Sequence, residues 1–414
     1  MTIERLGAAG DGVARLPDGR VLYVPGALPG ERVAVAVGGR RGEGLAGRLI
    51  DIPGPSPDRV RAPCPHFGVC GGCALQHLAP AAYAEWKRGL LVAALQRAGF
   101  PEAAVSPLVP AEPGTRRRAE FALRPGVAGF HARASAAVVD VPGCLVLAPP
   151  LLALAEALRA LDLGLLRPRA EAQANLAETG LDVVLRLGRD PDRVARETLA
   201  RFAGAADLAR LSVDLGDGPV PLVVRRPPRL TFDGVAVEPP PGAFLQATVE
   251  GERAIVSAVL AELADLPERA RVADLHAGIG TITFPLAARF RVVAIDGDGP
   301  ATSALSTAAR RAWLAPRVAV ETRDLSLRPL TGDELTRFDA VVLDPPREGA
   351  KVQAQALAAA PPSLRRVVYV SCNPAALARD GRILAAGGWR AIRAVPIDQF
   401  LWAPHLESVV VFAR

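Results

Sequence analysis

Short apolar segments alternate with helical segments from about residue 245 to the C terminus, and this pattern restricts the possible folds more than any other feature. Strands that alternate with helices form βαβ units and a parallel sheet. We therefore expect an α/β, Rossmann-like domain over residues 245–414. The apolar segments have the length of strands and are 271–275, 291–295, 318–321, 338–343 and 367–370.

Glycine and acidic residues follow the strands of this predicted sheet. Gly278 and Gly280 come after the first strand, where glycine lets the backbone approach a ligand closely. Asp296 ends the second strand, a position at which a carboxylate commonly binds ribose hydroxyls. Asp324 and Asp344 come just past later strands. The pattern indicates a nucleoside site at this edge; the alternative is that the carboxylates only cap strand ends.

Cys372 directly follows the strand predicted at 367–370, and Pro374 prevents that strand from continuing. Ligands bind at the carboxyl edge of an open parallel sheet, so a thiol on this turn is placed to reach a substrate. The simplest alternative is a small buried thiol without a chemical role.

The first 52 residues predict a small β-barrel, because strand-like runs at 21–24, 32–37 and 45–50 are separated by turns that contain glycine. Four prolines between Pro53 and Pro63 indicate a linker. We expect an α+β domain over residues 53–244, with a helix at 79–100 that is placed to pack on the C-terminal domain.

Five cysteines are present, and an odd number argues for metal binding or catalysis rather than for a disulfide framework. Cys64, Cys70 and Cys73 are separated by five and by two intervening residues, next to two glycines that allow a tight turn. Such a site needs a fourth thiolate, and Cys144 is the only spare candidate apart from Cys372. Four thiolates suit either an iron–sulfur cluster or a tetrahedral zinc ion.

The net charge of +6 and the pI of about 9.5 are compatible with a nucleic-acid partner. Lysine occurs only at Lys87 and Lys351, so nearly all of the positive charge is arginine, which a GC-rich genome would also favour. No apolar run is long enough to span a membrane and the N terminus has no signal-peptide pattern, so we expect a cytoplasmic protein.

Several of these stretches resemble the RNA 5-methyluridine (uracil-C5) methyltransferase family, and specifically its iron–sulfur-containing ribosomal RNA branch. Residues 25–33 resemble the TRAM domain, an RNA-binding barrel. The Ser371–Pro374 segment, Ser-Cys-Asn-Pro, resembles the family's nucleophile motif, and 398–407 resembles its D-x-F-P-x-T-x-H-x-E segment. The resemblance implies a TRAM/OB-like barrel, a central α+β domain with an iron–sulfur site and a class I methyltransferase domain.

The resemblance also implies the roles of individual residues. Cys372 would be the nucleophile and Glu407 the base that removes a proton. The chain departs from the family pattern at Ala277, Leu401 and Ala403, which affects the walls of the base site. The implied ligands of S-adenosyl-L-methionine are Gln246, His276, Thr281, Asp296, Asp324 and Asp344, and those of a [4Fe-4S] cluster, favoured here over zinc, are Cys64, Cys70, Cys73 and Cys144.

The chemistry explains why such an enzyme needs both catalytic groups. Carbon 5 of uracil is a weak nucleophile until a thiolate adds at carbon 6, and the adduct must then lose its carbon-5 proton to a positioned base. Both faces of the ring are used, so we expect the target base to flip out of its RNA stack. We predict a monomeric enzyme that methylates a uridine of 23S ribosomal RNA.

Other functions are compatible with parts of the sequence. A tRNA uridine-5 methyltransferase would use the same residues, and an RNA-binding or chaperone protein could keep the fold without catalysis. A radical methylthiotransferase would need C-x3-C-x2-C rather than the spacing observed. A dinucleotide dehydrogenase would more often have a glycine where Thr283 stands.

Overall fold

The structure is a computed structural model that describes residues 1–161 and 170–414. The described residues form three main sheets, which follow one another along the chain, and a separate two-stranded hairpin. Helices cover the second and third sheets. Among the described residues, no helix combines the length and the apolarity needed to cross a bilayer.

The N-terminal sheet has five strands in the order β1-β2-β3-β5-β4. The segment before β1 meets the far edge of the sheet. Thr2 bridges to Arg32, the Val33 N–H donates to the Met1 carbonyl over 2.8 Å, and the Met1 amino group donates to the Val33 carbonyl over 2.9 Å. The sheet therefore closes on itself, as the predicted barrel requires. Its strands are β1 (Arg5–Leu6), β2 (Gly12–Arg15), β3 (Val21–Val24), β4 (Arg32–Arg41) and β5 (Gly44–Gly54).

The central sheet has seven strands in the order β13-β12-β11-β10-β7-β8-β9 and buries its own apolar cluster against two helices. Those helices are α2 (Pro149–Arg159) and α3 (Arg193–Ala205). The strands are β7 (Arg118–Arg124), β8 (Val127–His131), β9 (Val138–Asp140), β10 (Ala170–Ala177), β11 (Gly180–Arg186), β12 (Arg210–Asp214) and β13 (Pro219–Val224). A separate hairpin, β14 (Leu230–Phe232) and β15 (Val235–Val237), packs with the C-terminal core.

The C-terminal sheet has eight strands in the order β18-β17-β16-β19-β20-β22-β21-β6. Its first five strands are parallel, and β22 runs antiparallel between β20 and β21. This parallel, mainly βα-connected sheet confirms the predicted Rossmann-like architecture. The strands are β6 (Ala104–Val105), β16 (Arg271–Leu275), β17 (Arg291–Asp296), β18 (Val318–Thr322), β19 (Ala340–Leu343), β20 (Arg366–Ser371), β21 (Arg390–Ile397) and β22 (Glu407–Ala413).

Two apolar clusters contain residues of this sheet together with the surrounding helices. The central strands are buried on both faces along almost their whole length. Their sequences are therefore continuous apolar runs and do not alternate between apolar and polar residues. The helices of this part are α4 (Val249–Ala261), α5 (Thr283–Ala287), α6 (Gly299–Arg311), α7 (Gly332–Leu335), α8 (Lys351–Ala358) and α9 (Pro374–Ala386).

Helix α1 (Pro80–Ala98) precedes the central sheet in sequence but packs against α9 of the C-terminal part. Leu91 and Leu95 belong to the same apolar cluster as the sheet strands, and β6 then adds to the sheet edge beside β21. The buried face of α1 also contains the fully buried Lys87, which an apolar pattern does not anticipate.

Candidate active site

Cys372 lies between β20 and α9, on the turn that the sequence analysis identified. Asn373 caps the helix, since its side chain accepts a hydrogen bond of 3.0 Å from the Ala375 N–H. Ser371, the last residue of β20, pairs with Ser408 of the antiparallel β22. This register places Cys372, one residue later, across from Glu407, one residue earlier. The two predicted catalytic residues therefore face each other from adjacent strands.

Glu407 is 3% exposed and is held by a single side chain. Its Oε2 accepts a hydrogen bond of 2.7 Å from Gln399 Nε2. Its Oε1 is buried and has no hydrogen-bond partner among the described residues. One carboxylate oxygen is thus fixed by a hydrogen bond, and the other has a free position for a proton.

Gln399 also connects this carboxylate with the predicted cofactor site. Its Nε2 donates to Gln246 Oε1 over 2.7 Å, and Gln246 Nε2 donates to Asp344 Oδ2 over 2.9 Å. Two buried amides therefore join the carboxylate after β19 to the one at the start of β22. Gln246 and Asp344, which the sequence analysis assigned to the cofactor, are brought together by this chain.

Burial raises the pKa of the Cys372 thiol to about 12, and the neighbouring Glu407 and Asp344 carboxyls act in the same direction. Burial also raises the pKa of Asp344 to about 7 and that of Glu407 well above its usual value. Arg347 opposes the shift of the thiol. Burial and the nearby carboxyls thus disfavour the ionised forms of Cys372 and Glu407, and strongly shifted pKa values of this kind are common at functional sites.

Cys372 opens into a cavity of about 620 Å³, and the described residues that line it include positive but no acidic side chains. Arg116, Arg133 and Arg347 line this cavity together with His405. Burial and the neighbouring cations lower the pKa of His405 to about 4, so its imidazole is neutral at physiological pH. A cavity of this charge and size suits an anionic ligand that presents a flat ring to the thiol.

The segment between β21 and β22 carries His405 and is fixed by helix α1. Lys87 Nζ donates to Asp398 Oδ1 over 2.9 Å and also to the carbonyls of Phe400 and His405. The Tyr83 hydroxyl donates to Asp398 Oδ2 over 2.6 Å. Lys87 and Asp398 are both almost fully buried, so this ion pair is a component of the core.

The glycine-rich loop after β16 brings several predicted cofactor residues together. Asp296 Oδ2 accepts a hydrogen bond from the Gly278 N–H over 2.8 Å. Burial lowers the pKa of the half-buried His276, and the nearby Asp296 and Asp324 carboxylates oppose that shift. Gly278 has φ 55°, and a Cβ added there would meet no atom within 4 Å, so the loop borders open space. Hydrogen bonds from Ser326 lower the pKa of Asp324.

Thr281 lies apart from this group. It lines a cavity of about 1030 Å³ between the central and C-terminal sheets, beside α4 and the β14–β15 hairpin. Asp274, at the end of β16, is buried and accepts a hydrogen bond of 2.5 Å from Thr283 Oγ1. Its pKa is raised to about 7, chiefly by burial.

The four cysteines predicted as ligands line one small cavity between the linker and the central sheet. The lining residues are Cys64, Cys70, Cys73 and Cys144, with Cys144 supplied by the segment after β9. Among the described residues, no group of three or more His, Cys, Asp or Glu side chains is arranged to hold a single metal ion. The predicted cluster therefore stays a prediction, although the thiols are neighbours.

Comparisons with known proteins identify the chain. Residues 320–414 match the family described as tRNA (Uracil-5-)-methyltransferase, and residues 1–40 match the TRAM domain. Over its full length the chain is 37% identical to a 23S rRNA (uracil(1939)-C(5))-methyltransferase, RlmD, of Bordetella bronchiseptica, covering 92% of that protein. This chain belongs to the RNA uracil-C5 methyltransferase family. Its predicted activity as an S-adenosyl-L-methionine-dependent RNA methyltransferase is therefore confirmed.

Other similarities agree with this family. The chain is 42% identical to an uncharacterized RNA methyltransferase of Brucella suis, with coverage of 100% of this chain and 97% of the relative. The crystal structure of Pyrococcus abyssi tRNA (uracil-54, C5)-methyltransferase with S-adenosyl-L-homocysteine matches the fold, with a TM-score of 0.74, 23% identity and full coverage of both chains. The N-terminal TRAM domain and the Rossmann-like C-terminal domain are thus those of the family.

The departures from the RNA uracil-C5 methyltransferase motif lie close to the site. Ala277 is buried and its N–H donates to the Ile295 carbonyl, so it supports the cofactor loop through its backbone. Ala403 lines the cavity of Cys372, where a smaller side chain leaves more room. Leu401 packs in a peripheral apolar cluster near α1.

The sequence analysis missed two groups that contact the site residues. Gln399 and Lys87 were not recognised, although Gln399 lies inside the D-x-F segment and a lysine on an apolar helix face is itself a signal. Arg117 is also buried, and it binds Glu252 of α4 and the Gln246 carbonyl, so it connects the start of the central sheet with the C-terminal part.

Proposed function

We propose that this enzyme methylates carbon 5 of a uridine in ribosomal RNA through a covalent bond between Cys372 and carbon 6 of uracil, with Glu407 as the base. The observation that carries the proposal is the β20–β22 register, which sets the thiol across from the carboxylate. A pyrimidine ring between them would present carbon 6 to one residue and the carbon-5 proton to the other.

In the first step the Cys372 thiolate adds to carbon 6, and the electron pair of the carbon 5–carbon 6 double bond makes carbon 5 nucleophilic. Carbon 5 then attacks the methyl group that S-adenosyl-L-methionine supplies on its sulfonium centre. Glu407 next takes the carbon-5 proton, the double bond re-forms and the bond between carbon 6 and sulfur breaks. The thiolate is regenerated, so the protein ends the cycle with one proton gained by Glu407.

The raised pKa of Cys372 means that the thiol is protonated at neutral pH before substrates bind. Two features of the protein act against this. Arg347 lowers the pKa of the thiol, and protonation of either neighbouring carboxyl removes a negative charge that opposes thiolate formation. Attack is therefore coupled to proton movement within the site.

The cofactor would bind at the carboxyl edge of the C-terminal sheet. Asp296 and Asp324 would contact the ribose and the base, while Gln246 and Asp344 would contact the cofactor beside the reacting centre. His276 borders the same loop, and Thr281 would reach the cofactor only from the neighbouring cavity. The open space beside Gly278 fits a nucleoside against the backbone.

The cationic cavity supports RNA as the partner, since Arg116 and Arg347, which form no ion pair among the described residues, can attract phosphates; Arg133 is paired with Asp11. Only an unstacked uridine can bring both faces of its ring to Cys372 and Glu407, so the target base would be flipped. Ribosomal RNA is favoured because the 37% identical relatives are named as 23S rRNA methyltransferases. A tRNA substrate is the alternative.

The thiol cavity would hold a [4Fe-4S] cluster, with zinc as the alternative. Four thiols are the donor set that such a cluster uses, and all four line the same small cavity. Arg116 lies near Cys73 and Cys144, where a positive charge would stabilise thiolates. Iron and acid-labile sulfide analysis of the purified protein distinguishes the cluster from zinc.

The decisive experiment is nucleoside mass spectrometry of separated ribosomal and transfer RNA from cells with and without the protein. Loss of 5-methyluridine from the ribosomal fraction is expected. Loss from the transfer fraction alone would assign the enzyme to tRNA. No change in either fraction, together with no methylation of extracted RNA by the purified protein, would favour a non-catalytic RNA-binding role.

A further inference from the structure

Gln399 is 2% exposed and lies between the base and the predicted cofactor site. It occupies the second position of the D-x-F segment, which the family motif leaves unspecified. The fold makes room for it, because a Cβ added to Gly251 of α4 would lie 2.7 Å from the Cβ of Gln399. The glycine therefore lets helix α4 approach the residue closely.

The hydrogen bonds of Gln399 determine which way its amide points. The Ala247 N–H donates to Gln399 Oε1 over 2.8 Å, and a backbone N–H can only donate. The side-chain nitrogen must then be the atom that faces Glu407 Oε2 and Gln246 Oε1, each at 2.7 Å. Both of its hydrogens are used, so the amide has no freedom to flip.

We infer that Gln399 is the positioning residue of the catalytic base: it holds Glu407 Oε2 and leaves Oε1 as the oxygen that accepts the carbon-5 proton. Through Gln246 it also ties the base to Asp344 at the cofactor side. This inference rests on the proposed role of Glu407. It concerns only the proton-removal step and not the formation of the covalent adduct.

The charges around Glu407 explain why such a residue is needed. Burial raises the pKa of Glu407, and Asp344, in the loop after β19, raises it further, while the backbone of Ser408 opposes the shift; Cys372 at the end of β20 is a neutral thiol at physiological pH. Arg347 acts on the thiol and His405 is neutral, so Gln399 is a principal group that stabilises the carboxylate. Removal of its N–H would raise the pKa of Glu407 further.

The experiment compares Gln399→Met with Gln353→Met. Gln353 is a matched control because it is also buried and makes two side-chain hydrogen bonds, both to the Leu330 backbone, away from the site. Each variant is assayed on RNA that contains uridine and on RNA that contains 5-fluorouridine. The fluorinated base has no carbon-5 proton, so the reaction stops at the methylated covalent adduct.

For Gln399→Met we expect turnover on uridine RNA to fall about 10- to 100-fold, since general-base catalysis contributes roughly 10²–10⁴-fold. The acidic limb of its pH–rate profile should move to higher pH by about one unit, because the base must be ionised to act. Adduct formation on 5-fluorouridine RNA should stay within about twofold of the unsubstituted enzyme. Gln353→Met should lower the melting temperature without moving the pH profile.

Equal losses of turnover and of adduct formation in Gln399→Met would overturn the inference, as would an unchanged pH profile with full turnover. If the unsubstituted enzyme itself forms no adduct, the proposed function fails instead. Should Gln399→Met not fold, Gln399→Glu preserves the size of the side chain. Once ionised, that variant cannot donate to Glu407, so the same pattern is expected.

Discussion

At the residue scale, the site consists of neighbouring acidic groups whose negative charges disfavour ionisation of the groups beside them. Cys372, Glu407 and Asp344 are close enough that each carboxylate raises the pKa of the thiol, and burial adds to every shift. A protein gains no stability from such a group, because a buried carboxylate is costly to ionise. The arrangement is therefore explained by chemistry rather than by folding.

Replacement of Cys372 by Ala should abolish methylation while RNA binding is preserved. In the proposed mechanism the thiol adds to carbon 6, whereas the arginines that line its cavity would be unchanged in the variant. Methyl transfer from labelled cofactor and a gel-shift titration with RNA measure the two properties. Methylation by Cys372→Ala above the uncatalysed level would exclude the covalent mechanism.

Replacement of Glu407 by Gln should trap the covalent adduct and stabilise the fold. The folded pKa of Glu407 is raised, so the carboxyl's favourable contribution is full below its unfolded value of about 4.5 and is lost as pH rises through the folded pKa. Gln cannot ionise, and we expect its advantage to grow with pH to an order of 1 kcal/mol or more. Thermal unfolding between pH 5 and pH 9 tests this. A constant difference would contradict the raised pKa.

Much of the site could be predicted at this scale, but not its connections. Cys372 and Glu407 are recognisable because each lies in a short motif of residues that are adjacent in the sequence. Gln399 is not, since its role depends on three contacts that come from separate parts of the chain. Only the folded structure shows that a residue in an unspecified motif position touches the base.

At the element scale, the five parallel strands of the C-terminal sheet could be predicted because β-branched runs form buried strands. Three other strands of this sheet were not predicted. The two-residue β6 owes its place to tertiary pairing with β21, and β21 and β22 pair antiparallel at the edge of the parallel part. Helix α1 was predictable in extent, but Lys87 on its buried face has meaning only beside Asp398.

Lys87→Met should destabilise the protein by about 3–5 kcal/mol, because it leaves Asp398 buried without its ion-pair partner. Chemical denaturation measures the change. A matched control is Glu85→Ala on the same helix, where an exposed pair with Arg88 at 3.8 Å should contribute less than about 1 kcal/mol. Equal effects of the two substitutions would mean that the buried pair does not hold the segment that carries His405.

At the scale of the whole molecule, separate units converge on one cavity. Asp11 of the barrel pairs with Arg133 of the central sheet, and Arg117 of that sheet pairs with Glu252 of α4. The cavity of Cys372 is correspondingly lined by residues from the cysteine segment, the central sheet and the C-terminal domain. An RNA that enters this cavity is therefore in contact with more than one unit at once.

The cysteine segment is also bonded directly to the catalytic segment. The N–H groups of Ala74 and Leu75 donate to the Trp402 carbonyl over 2.8 and 3.1 Å, one and two residues after Cys73. A cluster bound to Cys73 would fix these donors, and its loss would weaken the support of residues 398–405, where the hydrogen bonds from Lys87 and Tyr83 would remain. These two backbone hydrogen bonds thus connect the cysteine segment directly with the segment that precedes Glu407.

We therefore predict that Cys73→Ser, besides losing the iron of the proposed cluster, increases amide hydrogen exchange in residues 398–405 by at least tenfold, while α6 keeps its protection. The comparison of the two regions within one protein separates local release from general destabilisation. Iron content is measured on the same samples. If iron is lost and exchange at 398–405 does not change, the two backbone hydrogen bonds hold the segment without help from the thiols, and the cluster would serve the central domain alone.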